Sequence, residues 1–165
     1  MNQVYLSFNI GNELFAINVQ KVLEVLQKQT ITPVPNAPNY ITGIINFRGE
    51  VVPVFDTRIK FNLPSHNETD SYAIAVLDLI KNNEQMRIGA TVDRVRDVIT
   101  ISNDDIKPVP PMSSTFSSDF LSGIVRLDDQ FILLIDVDKV FTKSEMQKIE
   151  EVSENPIADT IKNAQ

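Results

Sequence analysis

Val4, Leu6, Phe8 and Ile10 recur at every second position, with Ser7 and Asn9 between them. That period puts apolar side chains on one face of a strand. Gly11-Asn12-Glu13 interrupts as a turn before Leu14-Phe15-Ala16-Ile17, so the chain opens with a predicted hairpin. Asn18 stands where a helix cap belongs, and Val19, Val22, Leu23 and Leu26 follow at helical spacing, which predicts a short helix. Thr32-Pro33-Val34-Pro35-Asn36-Ala37-Pro38 is an extended loop, because each proline fixes φ and removes a donor. Two apolar runs between Tyr40 and Asp56 flank Arg48-Gly49 and predict a second hairpin, with Gly49 free to take positive φ. Pro53 marks its second strand as an edge or an irregular position. Residues 62–71 are polar and predict a surface loop. Strands resume at Tyr72–Leu79 and Met86–Val92 around a turn at Lys81-Asn82-Asn83. Pro108-Val109-Pro110-Pro111 opens another extended loop, and Ile124–Leu127 with Phe131–Val137 forms a last hairpin across Asp128-Asp129. After Phe141 the period lengthens. Ser144 is placed to cap a helix carrying Met146, Ile149 and Val152, Pro156 limits it, and the last residues read as frayed.

The pattern repeats. YITGIINFRGEVVPVFDTRIKF, residues 40–61, aligns without a gap on FLSGIVRLDDQFILLIDVDKVF, residues 120–141. Gly43 meets Gly123, Ile44 meets Ile124, Asp56 meets Asp136 and Phe61 meets Phe141. Upstream, Val22-Leu23-Glu24-Val25 matches Val95-Arg96-Asp97-Val98, and Pro33-Val34-Pro35 matches Pro108-Val109-Pro110. The order is the same in both halves, with small insertions between shared elements, as in a duplicated unit. Sheets this small leave vulnerable edges unless they curl and close. The expected fold is therefore mainly β: two small barrels related by a pseudo-twofold and packed into one domain over 1–165. The approximate repeats are 3–61 and 72–141, with 142–165 a C-terminal helix and tail. Neither half buries much core alone, and strand exchange between the halves is left open.

Composition narrows the function. Among 165 residues there are 15 Lys+Arg against 22 Asp+Glu, a formal charge of −7. That argues against general nucleic-acid binding and against a polybasic membrane surface. The sequence has no cysteine and one histidine, His66, which excludes disulfides, zinc–thiolate sites, iron–sulfur clusters and thiol nucleophiles. No segment approaches ~18 apolar residues, so neither a signal peptide nor a membrane-spanning helix is expected. The glycines are scattered and build no phosphate-cradling loop.

The candidate site residues each have a plain alternative. His66 reads as solvated surface, and the sequon at Asn67 as meaningless without a secretory signal. Asp136 and Asp138 alternate and could hold Ca²⁺ or do acid–base work, but the match of Asp136 with Asp56 favours a shared turn or strand-end role. Arg48 is either an exposed hairpin cation or an interface arginine beside apolar surface. The valine segments at 22–25 and 95–98 are either core turns or walls of a groove that receives a partner helix.

The ordered set of motifs resembles the CheW family of bacterial chemotaxis coupling proteins. The likeness is carried by V-x-E-V at Val22–Val25, the block P-x-P-x-x-P-x-Y-I-x-G-I-I-N-x-R-G-x-V-V-P-V-x-D-x-R from Pro33 to Arg58, V-D-x-V-x-D-V at Val92–Val98, and the final G-I-V…L-L-I-D. It runs from about Val4 to Phe141. The resemblance implies two SH3-like five-stranded barrels and an adaptor without catalytic activity or cofactor. The implied partners are the cytoplasmic tip of a methyl-accepting chemoreceptor and the regulatory domain of a CheA-type histidine kinase. It implies a cytoplasmic protein, monomeric when isolated and recruited to membrane-bound receptor arrays. The implied receptor-binding residues are Val22, Glu24, Gly43, Arg48, Val95 and Val98, with Glu24 a partner for Arg48 or for a receptor cation. Kinase contacts do not transfer residue by residue. Phe47 replaces the leucine common in N-L-R-G, and Arg94 and Arg96 add positive charge to an acidic chain. The short stretch after Phe141 favours a stand-alone adaptor over the CheV arrangement with a receiver domain.

Overall fold

In the computed structural model the described residues are 1–63, 71–81, 83–110 and 119–154. His66, the sequon at Asn67, Asn82 and Pro156 lie outside them. In chain order the elements are β1 (Asn2–Ile10), β2 (Glu13–Asn18), β3 (Val22–Gln27), β4 (Ile41–Phe47), β5 (Glu50–Asp56), α1 (Thr57–Lys60), β6 (Ala73–Lys81), β7 (Glu84–Val92), β8 (Arg94–Ser102), β9 (Leu121–Leu127), β10 (Gln130–Ile135) and α2 (Lys143–Glu154).

The strands form two five-stranded sheets, ordered β8-β1-β2-β10-β9 and β3-β6-β7-β5-β4. Moving every strand five places along the chain turns the first order into the second, so the repeat in sequence is a repeat in topology. The chain changes sheet twice, between β2 and β3 and between β7 and β8. Each sheet thus holds the leading hairpin of one repeat and the valine strand and second hairpin of the other. Within each sheet one pair is parallel, β2 with β10 and β5 with β7. Parallel neighbours need long connections, and the exchange between repeats supplies them.

The exchange also explains the unbroken apolar runs. Leu14 and Ala16 face a cluster inside the first sheet, whereas Phe15 and Ile17 face a larger cluster shared by both sheets. Ile132 and Leu134 divide from Leu133 and Ile135 in the same way. Ile74 and Val76 face a third cluster inside the second sheet, while Ala75 and Leu77 join the shared one. Strands covered on both faces are apolar throughout rather than alternating. In the shared core Phe61 stacks on Phe120 at 4.1 Å and Tyr40 meets Phe141 at 5.7 Å between centroids. The repeat alignment interchanges these two pairs, so the end of each repeat packs on the start of the second hairpin of the other.

Two ion pairs tie the sheets at related places. Arg58, on α1 after β5, grips Asp93 between β7 and β8 through two guanidinium nitrogens, and the Gly11 N–H of the β1–β2 turn donates to the same carboxylate at 2.6 Å. In the other half Lys21, between β2 and β3, lies 2.8 Å from Asp138, which also accepts from the Ile80 N–H. Arg58 and Asp138 occupy matching positions after the second hairpins, so the two ties have opposite polarity.

Several local expectations change. The predicted helix over 19–26 is a 3₁₀ turn at Val19–Lys21, with Asn18 accepting from the Gln20 N–H, and Val22 onward is strand. Helical spacing in the sequence arose because β3 carries an irregularity that puts residues three apart on one face. Pro53 is not on an edge: β5 lies between β4 and β7. Its missing N–H costs no ladder bond to β7, since that pairing begins at Val54. The C-terminal helix is capped by Thr142, two residues before Ser144. Thr142 Oγ1 accepts from the Glu145 N–H and Glu145 accepts from the Thr142 N–H, a reciprocal capping box. Met146, Ile149 and Val152 are buried in the shared core, as expected.

Candidate functional site

Residues three apart on a regular strand point to opposite faces. In both valine segments one extra residue removes that separation. On β3, Val22 pairs with Leu77 and Glu24 with Val76, a register shift within the strand, so Val25 comes opposite Ala75. Leu77 and Ala75 both face the shared core, so Val22 and Val25 share that face. On β8, Val95 lies opposite Phe8 and Val98 opposite Leu6, with the shift between. The inner valine of each pair, Val22 or Val95, is half-buried against the shared core. The outer one is exposed, Val25 at 40% and Val98 at 65%. β3 and β8 are edge strands of their sheets. Each segment therefore presents an apolar step from the core margin into solvent, on a strand at the edge of its sheet. Such bulges re-aim side chains and are kept where that serves recognition. Both segments are strands, not turns.

Arg48 and Gly49 form a two-residue hairpin loop with φ of 53° and 81°. Such loops favour Asn, Asp or Gly at the first position, and the matching loop obeys with Asp128 at φ 55°. Arg48 departs from that preference and takes a conformation uncommon for its residue type. Its guanidinium reaches Glu24 on β3 at 3.2 Å and lies 4.8 Å from the Phe47 ring centre. β3 and β4 are the two edges of one sheet, so this contact marks where the sheet curls back on itself. With side chains 66% and 40% exposed, the pair adds about 0.2–1 kcal/mol at most. What it does hold is an outward arginine over the ring of Phe47, on the side of β3 that faces the third cluster rather than on the side of Val22 and Val25.

Gly43 serves the fold. A Cβ there would stand 2.1 Å from the Thr32 carbonyl oxygen, because the proline loop crosses β4 and exchanges two backbone hydrogen bonds with Ile44. Gly123 has the matching place, with Ile106 and Lys107 against it and Lys107 bonded to Ile124. The close backbone approach that glycine permits is thus made within the chain. Asp56 and Asp136 cap the turns that follow β5 and β10. Asp138 is engaged by Lys21 and Ile80, and among the described residues no cluster of potential metal ligands forms.

Of the six residues singled out in the sequence, the structure joins Glu24 to Arg48 and sets Val22 and Val95 at the margin of one core. Val98 lies outward of Val95, and Gly43 lies on β4 under the proline loop. Sequence reading passed over Val25, although its match with Val98 was the available signal.

Fold and surface together define an interaction module, a twinned β domain with solvent-facing apolar edges. A family profile described as a CheW-like domain matches residues 4–145. The chemotaxis protein CheW of Klebsiella aerogenes is 30% identical over 155 residues, covering 94% of this chain and 91% of that protein. The CheW of Bacillus subtilis is 31% identical over 140 residues, 85% and 87% of the two chains. The crystal structure of the scaffolding protein TtCheW from Thermoanaerobacter tengcongensis superposes with a TM-score of 0.77 at 30% identity, covering 88% of this chain and 91% of that one. The chain belongs to the CheW-like family of chemotaxis scaffold proteins. No described helix is long and apolar enough to cross a membrane.

Proposed function

We propose that this protein is a non-enzymatic adaptor that couples the cytoplasmic tip of a chemoreceptor to a CheA-type histidine kinase in membrane-bound arrays. Val22 and Val25 on β3 and Val95 and Val98 on β8 receive an apolar helical stripe, and the Glu24–Arg48 pair borders it. The observation that carries this reading is Arg48 itself. An arginine in a loop position that suits Asn, Asp or Gly is held there for its side chain, which stays 66% exposed and reaches Glu24, between Val22 and Val25 in the chain. Family membership supports the partners.

The test replaces Arg48 by Asn and by Glu. Arg48→Asn suits the backbone and gives up an exposed ion pair and an exposed cation–ring contact with Phe47, so unfolding stability stays within about 1 kcal/mol of wild type. Receptor-dependent kinase activation in a reconstituted mixture is expected to fall for Arg48→Asn and to be lost for Arg48→Glu. Full activation by both folded variants would overturn the reading.

A further inference from the structure

The two halves of the candidate site are related by the repeat, so their valine pairs alone would accept a helical partner equally well in two opposed orientations. The charges around them are not symmetric. Around β3, Lys21 pairs with Asp138 and Glu24 with Arg48, while Lys28, just past its end, lies 5.3 Å over the Tyr72 ring. On β8 the corresponding stretch is Arg94-Val95-Arg96-Asp97-Val98. Arg94 and Arg96 are exposed, and neither makes an ion pair among the described residues, whereas Asp93 next door is engaged by Arg58. Asp97 is the one carboxylate within this stretch, and its backbone N–H and carbonyl are both bonded to the Ser7 hydroxyl. The stretch Arg94–Val98 therefore carries one net positive charge on a chain whose net charge is −7.

We infer that Arg94 and Arg96 orient the docked partner by attracting a flank of carboxylates on its helix over β8, while the β3 side, where Lys21 and Glu24 are already paired within the chain, takes its uncharged flank. This rests on the coupling reading above and adds the partner's chemistry: an apolar helical stripe bordered on one side by Asp or Glu. Rim charges of this kind govern encounter rate, orientation and salt response more than they add buried contact.

The experiment measures binding of the full chain to the isolated cytoplasmic helical hairpin of a chemoreceptor from the same genome, between about 50 and about 500 mM salt. The variants are wild type, the double reversal Arg94→Glu/Arg96→Glu, Val98→Ala and Arg48→Glu, each checked for an unchanged melting curve. Wild-type affinity is expected to fall as salt rises. The double reversal is expected to bind about tenfold more weakly at low salt and to lose that salt response. Val98→Ala is expected to weaken binding by a similar factor at every salt concentration. Wild-type affinity and salt response in the double reversal, with Val98→Ala and Arg48→Glu still impaired, would overturn the orientation inference and leave the coupling reading standing. Undiminished binding by all three variants would overturn both.

Discussion

Replacing Gly43 by alanine tests whether the proline loop is pinned across β4. The added Cβ meets the backbone of Thr32, with its carbonyl oxygen at 2.1 Å and its carbonyl carbon at 2.7 Å. No rotamer change relieves a clash with backbone, so the loop must lift. Lifting it breaks the reciprocal bonds between Thr32 and Ile44, at 2.9 and 2.8 Å. Each contributes about 0.5–1.5 kcal/mol net. Overpacking strain adds about 1–3 kcal/mol. The expected loss is about 3 kcal/mol, a large share of the ~5–15 kcal/mol of an ordinary domain. Two internal controls calibrate it. Gly49→Ala has a φ of +81° but nothing within 4 Å of the new atom, so it carries only the left-handed penalty of about 1–2 kcal/mol. Gly123→Ala first meets the Ile106 side chain at 2.4 Å, which can shift, and then the Lys107 oxygen at 3.2 Å, so its cost falls between the two. Urea unfolding of the three variants, read as midpoint shifts at constant slope, gives the ranking directly. A Gly43→Ala midpoint at or above that of Gly49→Ala would refute the reasoning. It would also return Gly43 to consideration as a residue kept for a partner.

Two further predictions concern the ties that hold the fold. Asp93→Ala removes a carboxylate from the buried Arg58 guanidinium and from the Gly11 N–H, and is expected to destabilise the protein by about 3 kcal/mol in thermal or urea unfolding; a change under about 1 kcal/mol would show that the tie is dispensable. Burial raises the Glu145 carboxyl, but its bonds from the Thr142 N–H and from Lys60 outweigh this and hold it below its ordinary 4.5; the neighbouring Tyr40 hydroxyl is pushed up to about 12 by burial first and by Glu145 second. Since the folded state lowers the Glu145 pKa, its stabilisation is fully present above the ordinary carboxyl range and is lost as pH falls through the lowered value. The stability difference between wild type and Glu145→Gln should therefore be flat above about pH 5 and shrink on acidification, and a difference that grows in acid would contradict the assignment.

Much of this protein is decided locally and is visible in its sequence. Period-two alternation in β1, the Arg48-Gly49 and Asp128-Asp129 loops, Asn18 as a cap and the helical stripe Met146, Ile149, Val152 each depend on a few neighbouring residues. The duplicated motifs, with the paired glycines and aspartates, also stand in the sequence, and they carried both the family likeness and the β-rich fold. Arg48, Glu24 and the valines could be singled out as candidates because the motif order is long and specific. What tertiary structure decided is where a strand's partners lie far away in the chain. Only the sheet order shows that each repeat gives its leading hairpin to the other's sheet, because hydrophobic pattern specifies faces but not neighbours. V-x-E-V spacing resembles a helix until pairing with β6 introduces the bulge that turns Val22 and Val25 to one face. The packing role of Gly43 appears only in the fold, where Thr32, brought back by the proline loop, occupies the space a side chain would need. The sequence determined which residues turn inward and which turns close; long-range pairing determined what each of them faces, because that is set by backbone geometry between segments that no local pattern connects.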